Sequence, residues 1–194
     1  MDPVRFISNP STGKMGYAMA HEAVRRGARV ILVSGPTHIK PPIGVNLVRV
    51  ETALQMHTAV KKYFTKTDIM IAASAVSDYR PVKKSPLKIK KQSRKKINLS
   101  LIKNPDIIEE MAKKKGARIM IGFAAETGSL KKNALKKLSS KNLDFIVAND
   151  VSRPGAGFAT DTNIVSVFDK SGSHYKFPKM TKAALCTKIF DIII

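Results

Sequence analysis

Tryptophan is absent from these 194 residues, cysteine occurs once, and acids are scarce: 14 Asp and Glu stand against 35 Lys and Arg. Each shortage excludes something. One cysteine, Cys186, permits neither an internal disulfide nor a cysteine-based zinc site, so a reducing cytoplasm is the expected setting. Its apolar helical surroundings read as core filler rather than as a nucleophile. No apolar run approaches the length of a membrane span, no signal-peptide pattern opens the chain, and the closing FDIII is too short to count. No membrane contact is therefore expected. Aromatic residues make up 6%, and no interleaving of basic and aromatic residues offers a stacking platform for nucleic acid.

The excess of cations gives a formal charge of +21. Two readings stay open: a polyanion-binding surface, or lysine enrichment of solvated faces with a few lysines doing chemistry. Hydrophobic residues reach 43%, enough for one full core in a chain of this length.

What is present is an alternation. GKMGYAMAHEAVRRG (13–27) has a helix-friendly interior and stops at Gly27. ARVILVSGP (28–36) is a continuous apolar run ended by Gly-Pro, as in a buried parallel strand. A short strand LVRV (47–50), a helix over 52–64 capped by Thr52 and a strand DIMIAASAV (68–76) follow. NPDIIEEMAKKKG (104–116) predicts a helix capped by Asn104, with Pro105 at its first position and Gly116 as its stop. RIMIGFAAE (118–126), a basic helix over 129–141 and DFIVAND (144–150) continue the pattern. NIVSVFD, KSGS and HYKFP (163–178) read as a hairpin, and 181–194 as a terminal helix packed on the core. The fold class expected is α/β: a Rossmann-like, doubly wound, mostly parallel sheet with a small β-hairpin and flap extension, in a single domain over 1–194. The flap is 83–102. KKSPLKIKKQSRKK within it has eight Lys or Arg in fourteen residues, and the alternating INLSLI (97–102) follows. A solvated loop is the bland alternative for that stretch.

In an open α/β sheet, ligands bind beyond the carboxyl ends of the strands. RFISNPSTGKMG (5–16) lies there, ahead of the first helix, where backbone N–H groups and the helix dipole favour phosphate or carboxylate. It is not a P-loop: Ser8 occupies the position of the first Gly, and Met15 follows Lys14. Gly13 and Gly16 allow a tight turn and a close approach. AASAVSDYRP (72–81), GFAAET (122–127), ANDVSRPG (148–155) and the start of the 104–116 helix fall on the same rim. Four such turns together point to a nucleotide-sized site.

Several chemistries are disfavoured. His21, His38, His57 and His174 are scattered without ligand spacing, and no Ser-His-acid set assembles. Tyr79 and Lys83 match Tyr-x-x-x-Lys, but Pro81 between them argues against the helix that dehydrogenases place it on. GxGxxG is missing, so hydride transfer fits poorly. Cations and amides around a sheet rim suit phosphoryl-bond cleavage dominated by positioning, such as nucleotidyl transfer to a carboxylate.

DPVRFISNPSTGKMG, AASAVSDYRP, KIKK, KNPDI, GFAAET and KNLDFIVANDVS follow one another as they do in bacterial phosphopantothenate–cysteine ligase, also called phosphopantothenoylcysteine synthetase. In most bacteria this is the C-terminal half of a bifunctional coenzyme A biosynthesis protein. The chain resembles that family from Asp2 to about Asn163, and more weakly beyond. The resemblance implies two steps. CTP, with Mg²⁺, activates 4′-phosphopantothenate as an acyl-cytidylate and releases pyrophosphate; the amine of cysteine then displaces CMP. It implies that Asn9 bonds the substrate carboxylate and the acyl-cytidylate, that Arg5 supports this region, and that Lys88 of KIKK is the flap lysine over the triphosphate. Asp78 would read the cytosine side or position the nucleotide, and Phe123 would pack on base or ribose. Pro105, Asp106, Ile107 and Ile108 would present amides to phosphate. Lys137 and Lys141, on one helical face, would hold the nucleotide, with Gly13, Gly16, Ala73, Ser74 and Ala75 lining its seat.

The resemblance also implies a homodimer, for which the 163–178 hairpin is a contact candidate, and a flavin-dependent decarboxylase domain or partner, with no flavin expected in this chain. The family carries an apolar strand and a GPT-type turn just before DPVR, which these residues do not include; a sheet position left unfilled is the expectation. Two other readings stand beside the ligase: a basic nucleic-acid-binding α/β module, and an inactive truncated remnant.

Overall fold

The computed structural model describes residues 1–90, 96–153, 155, 157 and 159–194. Along the chain run α1 (Lys14–Arg25), β1 (Ile31–Ser34), β2 (Asn46–Arg49), α2 (Ala53–Phe64), β3 (Ile69–Ala72), β4 (Tyr79–Pro81), β5 (Leu101–Lys103), α3 (Ile107–Ala112), β6 (Ile119–Glu126), α4 (Leu130–Ser140), β7 (Phe145–Asp150), β8 (Thr162–Asp169), β9 (His174–Thr181) and α5 (Lys182–Ile193). Local sequence explains most boundaries. Gly27, at φ 83°, ends the first helical stretch as expected. Thr52 accepts from the Gln55 N–H while the Gln55 side chain reaches back, a complete capping box. Thr181 caps α5 by accepting from the Ala184 N–H.

The apolar runs at 118–126 and 144–150 become the sheet's interior. Strand order is β3-β6-β7-β8-β9, with β3, β6 and β7 parallel and the β8–β9 hairpin antiparallel at the edge. Helices cover both faces, as a doubly wound sheet requires. On one side α1 and α5 bury Met19, Ala23, Leu185, Cys186, Ile189 and Phe190 against Ile121, Val147, Val165 and Val167. On the other, Met56 and Phe64 of α2, Met111 of α3 and Leu138 of α4 pack on Met120, Ala124, Ile146 and Ala148.

β1 and β2 form a separate parallel pair. Among the described residues, no ladder joins β1 to β3, yet the same two cores flank both. Val33 and Met70 pack into one, and Val30, Ile69 and Ile71 into the other. The four residues of β3 are all only half-buried, whereas Met120 and Ile121 of β6 and Val147 and Ala148 of β7 are fully enclosed.

Two expectations need correction. The helix after KNP begins at Ile107, and its N-cap is Asp106, whose side chain accepts from the Glu109 N–H at 3.1 Å; Asn104 is not the cap. Its carboxamide is engaged elsewhere, as shown below. In the flap, the strand expected over 97–102 is Leu101–Lys103 and pairs with Tyr79–Pro81, a stretch read from sequence only as a rim motif. Residues 91–95 of the flap, and positions 154, 156 and 158, lie outside the described residues.

Candidate active site at the C-terminal rim

The RFISNPSTGKMG segment spans the ends of two strands that do not pair with each other. Gly13 adopts φ 81°, a conformation that glycine takes without strain, and leads into α1. On the β1 side, the Thr37 hydroxyl donates to the Thr12 carbonyl at 3.0 Å, and the Tyr17 hydroxyl donates to Ser34 Oγ at 3.0 Å. On the β3 side, a Cβ added at Gly16 would lie 3.9 Å from the Cβ of Ala73. Asn9 Nδ2 donates to the Ala75 carbonyl at 3.1 Å. The turn therefore brings Asn9, Gly13, Gly16, Ala73 and Ala75 together, with Ser74 exposed between the last two. Lys14 is committed to the hairpin end: its ammonium meets Asp161 at 2.6 Å and the Ala159 carbonyl at 3.0 Å. That ion pair holds the Asp161 carboxyl below its ordinary range.

Just upstream, Asp2 is buried and Arg5 folds over it. Arg5 Nη2 reaches the Asp2 carboxylate at 2.6 Å and the Ile89 carbonyl at 2.6 Å. Asp2 in turn accepts from the Ile89 N–H at 3.1 Å. The first flap arm is thus fastened one residue from Lys88, which is exposed. The return arm is fastened by Asn104. Its backbone N–H donates to the Asp78 carbonyl at 2.7 Å, its Nδ2 donates to the Ser77 carbonyl at 2.8 Å, and its Oδ1 accepts from Arg80 at 3.2 Å. Asp78 itself is exposed at this junction. Neither Asp2 nor Asn104 carries a local pattern that marks these jobs. A buried aspartate at the head of the RFISN motif was the only available signal for the first.

The remaining candidates stand on α3 and α4. Asp106, besides capping α3, receives Lys141 at 2.7 Å. Glu126 of GFAAET receives Lys137 at 2.7 Å and Asn133 at 2.8 Å. Burial opposes ionisation of both carboxyls, yet the lysines and the N–H donors hold each below its usual range. Lys137 and Lys141 are therefore ion-paired with acids here, an arrangement not foreseen from their spacing. Ile107 is buried and Ile108 half-buried beside Gly122, where an added Cβ would stand 3.3 Å from Ile108 Cδ1 and 2.7 Å from Leu143 Cδ1. That close approach explains the glycine of GFAAET. Pro105 and Asp106 are half-buried. Phe123 points to the opposite layer and packs with α1 and α5, away from the lysine-bearing face of α4. The expected site residues, Phe123 apart, thus fall into a turn-and-flap group beyond the end of β3 and an α3–α4 group beside β6.

Residues 1–194 match the family described as DNA/pantothenate metabolism flavoprotein C-terminal domain. The chain belongs to that family. It is 46% identical over 194 residues to the coenzyme A biosynthesis bifunctional protein CoaBC of Bacillus subtilis (strain 168), covering 100% of this chain and 48% of that protein. Identity to the CoaBC protein of Vibrio cholerae serotype O1 is 45% over 195 residues, with coverage of 100% and 49%. A crystal structure of the C-terminal domain of a CoaBC protein superposes with a TM-score of 0.83 at 40% identity, covering 99% of this chain and 86% of that one. The chain spans about half the length of the curated relatives it matches. As a member of this family it has the α/β fold expected from the strand–helix alternation.

The implied Mg²⁺ can be weighed against the donor set. Among the described residues there is no group of three or more His, Cys, Asp or Glu placed to hold a metal ion. Mg²⁺ keeps most of its waters and commonly binds through substrate phosphates with one or two carboxylates. The residues present fit an ion held chiefly by a triphosphate, not a dedicated protein cage. No helix among the described residues is long and apolar enough to cross a membrane.

Proposed function

We propose that this chain joins 4′-phosphopantothenate to cysteine at the expense of CTP. The observation that carries the reading is the match of all 194 residues to the C-terminal domain family; the ties of Asn9 to Ala75, of Asp2 to Ile89 and of Asn104 to Asp78 support it. In the first step a carboxylate oxygen of the acid attacks the α-phosphorus of CTP, and the bond to the β-phosphate breaks with release of pyrophosphate. In the second, the amine nitrogen of cysteine attacks the acyl carbon, the acyl–oxygen bond breaks, and CMP leaves as the amine loses its proton. Mg²⁺ accompanies the triphosphate and offsets its charge.

The chain's own groups supply position and charge. Asn9 offers an uncharged donor at the carboxylate and the mixed anhydride, and its Ala75 contact fixes it beside the loop after β3. Lys88 supplies a cation where charge develops toward pyrophosphate. Asp78 reads or positions the nucleotide. Lys137 and Lys141 exchange their carboxylate partners for phosphate when nucleotide arrives. Phe123 acts from the α1 layer, at the base or ribose. The reading extends to a homodimer with the 163–178 hairpin as its contact candidate, where the edge strand β9 is mostly exposed, and to a flavin-dependent decarboxylase on the same protein or as a partner.

Pyrophosphate release that requires both CTP and 4′-phosphopantothenate tests the reading directly. Lys88→Gln is expected to slow that release roughly 100-fold while leaving the melting temperature unchanged. Asn9→Asp is expected to slow turnover of the activated acid, because it sets an anion beside an electron-rich centre. Absence of nucleotide-dependent release in the folded protein would reject the ligase. Salt-sensitive binding to duplex or single-stranded nucleic acid would replace it with the polyanion reading.

A further inference from the structure

Residues 1–5 have no counterpart in a strand or helix, yet they contain one of the most enclosed carboxylates in the molecule. The Asp2 side chain is 0% exposed. Its Oδ1 accepts from the Val4 and Arg5 N–H groups at 2.9 and 2.8 Å, which closes a tight turn. Its Oδ2 accepts from Arg5 Nε and Nη2 at 3.0 and 2.6 Å and from the Ile89 N–H at 3.1 Å. The same Arg5 Nη2 donates to the Ile89 carbonyl at 2.6 Å. Both backbone polar groups of Ile89 are therefore gripped by one ion pair. A second tie lies four residues earlier, where the Ser85 N–H donates to the Met1 carbonyl at 3.0 Å. Charge-assisted bonds of this kind are stronger than neutral ones, and removing one partner leaves a buried group unsatisfied.

We propose that Asp2, acting through Arg5, is a positioning residue for the flap: the pair clasps the backbone at Ile89 and so fixes the point from which Lys88 extends. The proposal rests on the role given to Lys88 above, and it turns the support expected of Arg5 in the Asn9 region toward the flap arm. Among the described residues, no other charge-assisted bond anchors residues 83–90. The Ser85 hydroxyl bonds only within the segment, to the Leu87 carbonyl at 2.6 Å. Without the clasp, the lysine's charge is spread over many positions and its transition-state interaction is diluted.

The test combines a structural and a kinetic readout on Asp2→Asn. The structural readout is the rate of native-state tryptic cleavage after Lys88, followed by mass spectrometry of the released peptide. It should rise roughly tenfold, the equivalent of losing one charge-assisted bond. The kinetic readout is kcat for pyrophosphate release, which should fall in Asp2→Asn with little change in the KM for CTP. In the double variant with Lys88→Gln, the Asp2 substitution should add no further loss, because both act on one lysine. An unchanged cleavage rate, or losses that multiply in the double variant, would overturn the proposal. If Lys88→Gln alone released pyrophosphate at the normal rate, the role of Lys88 would fall. The clasp would then be judged by cleavage alone: faster cleavage upholds it, an unchanged rate ends it. Should Asp2→Asn fail to fold, Arg5→Lys retains the charge, removes the two-pronged grip and is read in the same way.

Discussion

The two ends of the central sheet are built on different plans. At the amino end, one buried carboxylate gathers everything around it. Asp144 accepts from the Met120 N–H at 2.8 Å, meets Lys115 at 3.1 Å and Lys170 at 2.7 Å, and thereby ties β6, β7 and the turn after β8 into one knot. Nearby, Glu22 holds Arg25 and Arg26 at 2.7 and 2.8 Å, and Arg26 reaches on to Asp191 of α5. At the carboxyl end the ties are numerous but separate: Thr37 to Thr12, Asn9 to Ala75, Asn104 to Ser77, Asp2 and Arg5 to Ile89. Each ties one loop to one other segment, and no single group joins them all. Linked clusters mark the amino end and single ties between loops the carboxyl end, where binding loops commonly sit.

The largest effect should come from cutting the knot. Asp144→Ala strands the Met120 N–H and two lysines, and should cost about 3 kcal/mol of unfolding free energy in urea titrations. Activity per folded molecule should stay unchanged, since the site is at the other end. A large loss of activity in the fully folded variant would blur the division between the two ends. At the carboxyl end, Asn104→Ala removes the Ser77 and Arg80 bonds and should cost about 1–2 kcal/mol. Here the KM for CTP should rise as well, because Asp78 loses its anchored neighbour. A pure stability effect would assign Asn104 to the scaffold.

The smallest effect is a pH dependence at the amino end. Hydrogen bonds from Arg25, and then Arg26, hold the Glu22 carboxyl down at about 2 from an ordinary value of 4.5, against the opposing influence of burial. A carboxyl depressed on folding stabilises the native state above its unfolded value and loses that contribution as the pH falls. Glu22→Gln should therefore lower stability near neutrality. The gap to wild type should narrow from about pH 4.5 and close near pH 2. A gap independent of pH would assign the effect to packing.

Much of the fold was legible because it is written in short-range pattern. Thr52 as a cap, Gly27, the apolar runs at 118–126 and 144–150 and the KSGS turn each report a local preference that tertiary packing leaves in place. Cys186 is also where its surroundings placed it, fully enclosed, with burial pushing its thiol up to about 12. The misreading of Asn104 shows the limit. It has the right chemistry for a helix cap, but Ser77 and Arg80, 27 and 24 residues away, claim its carboxamide, and Asp106 caps instead. The pairing of Tyr79–Pro81 with Leu101–Lys103 is likewise long-range: the alternation of INLSLI signals a strand but not its partner. For the site, the rim turns were legible as turns. The partners of Lys137 and Lys141 were not, because helical spacing shows that two lysines share a face but not which carboxylates wait opposite them.

The lone thiol has a use of its own. Cys186 sits on α5 with no exposed surface, beside Leu185 and Ile189 in the layer that α1 shares. A thiol reagent can label it only when that helix lifts from the sheet, so the labelling rate counts openings of one layer without an engineered reporter residue. Every variant above can thus be followed by the same internal clock. Damage confined to the rim should leave its ticking unchanged, and damage to the Glu22 cluster should speed it.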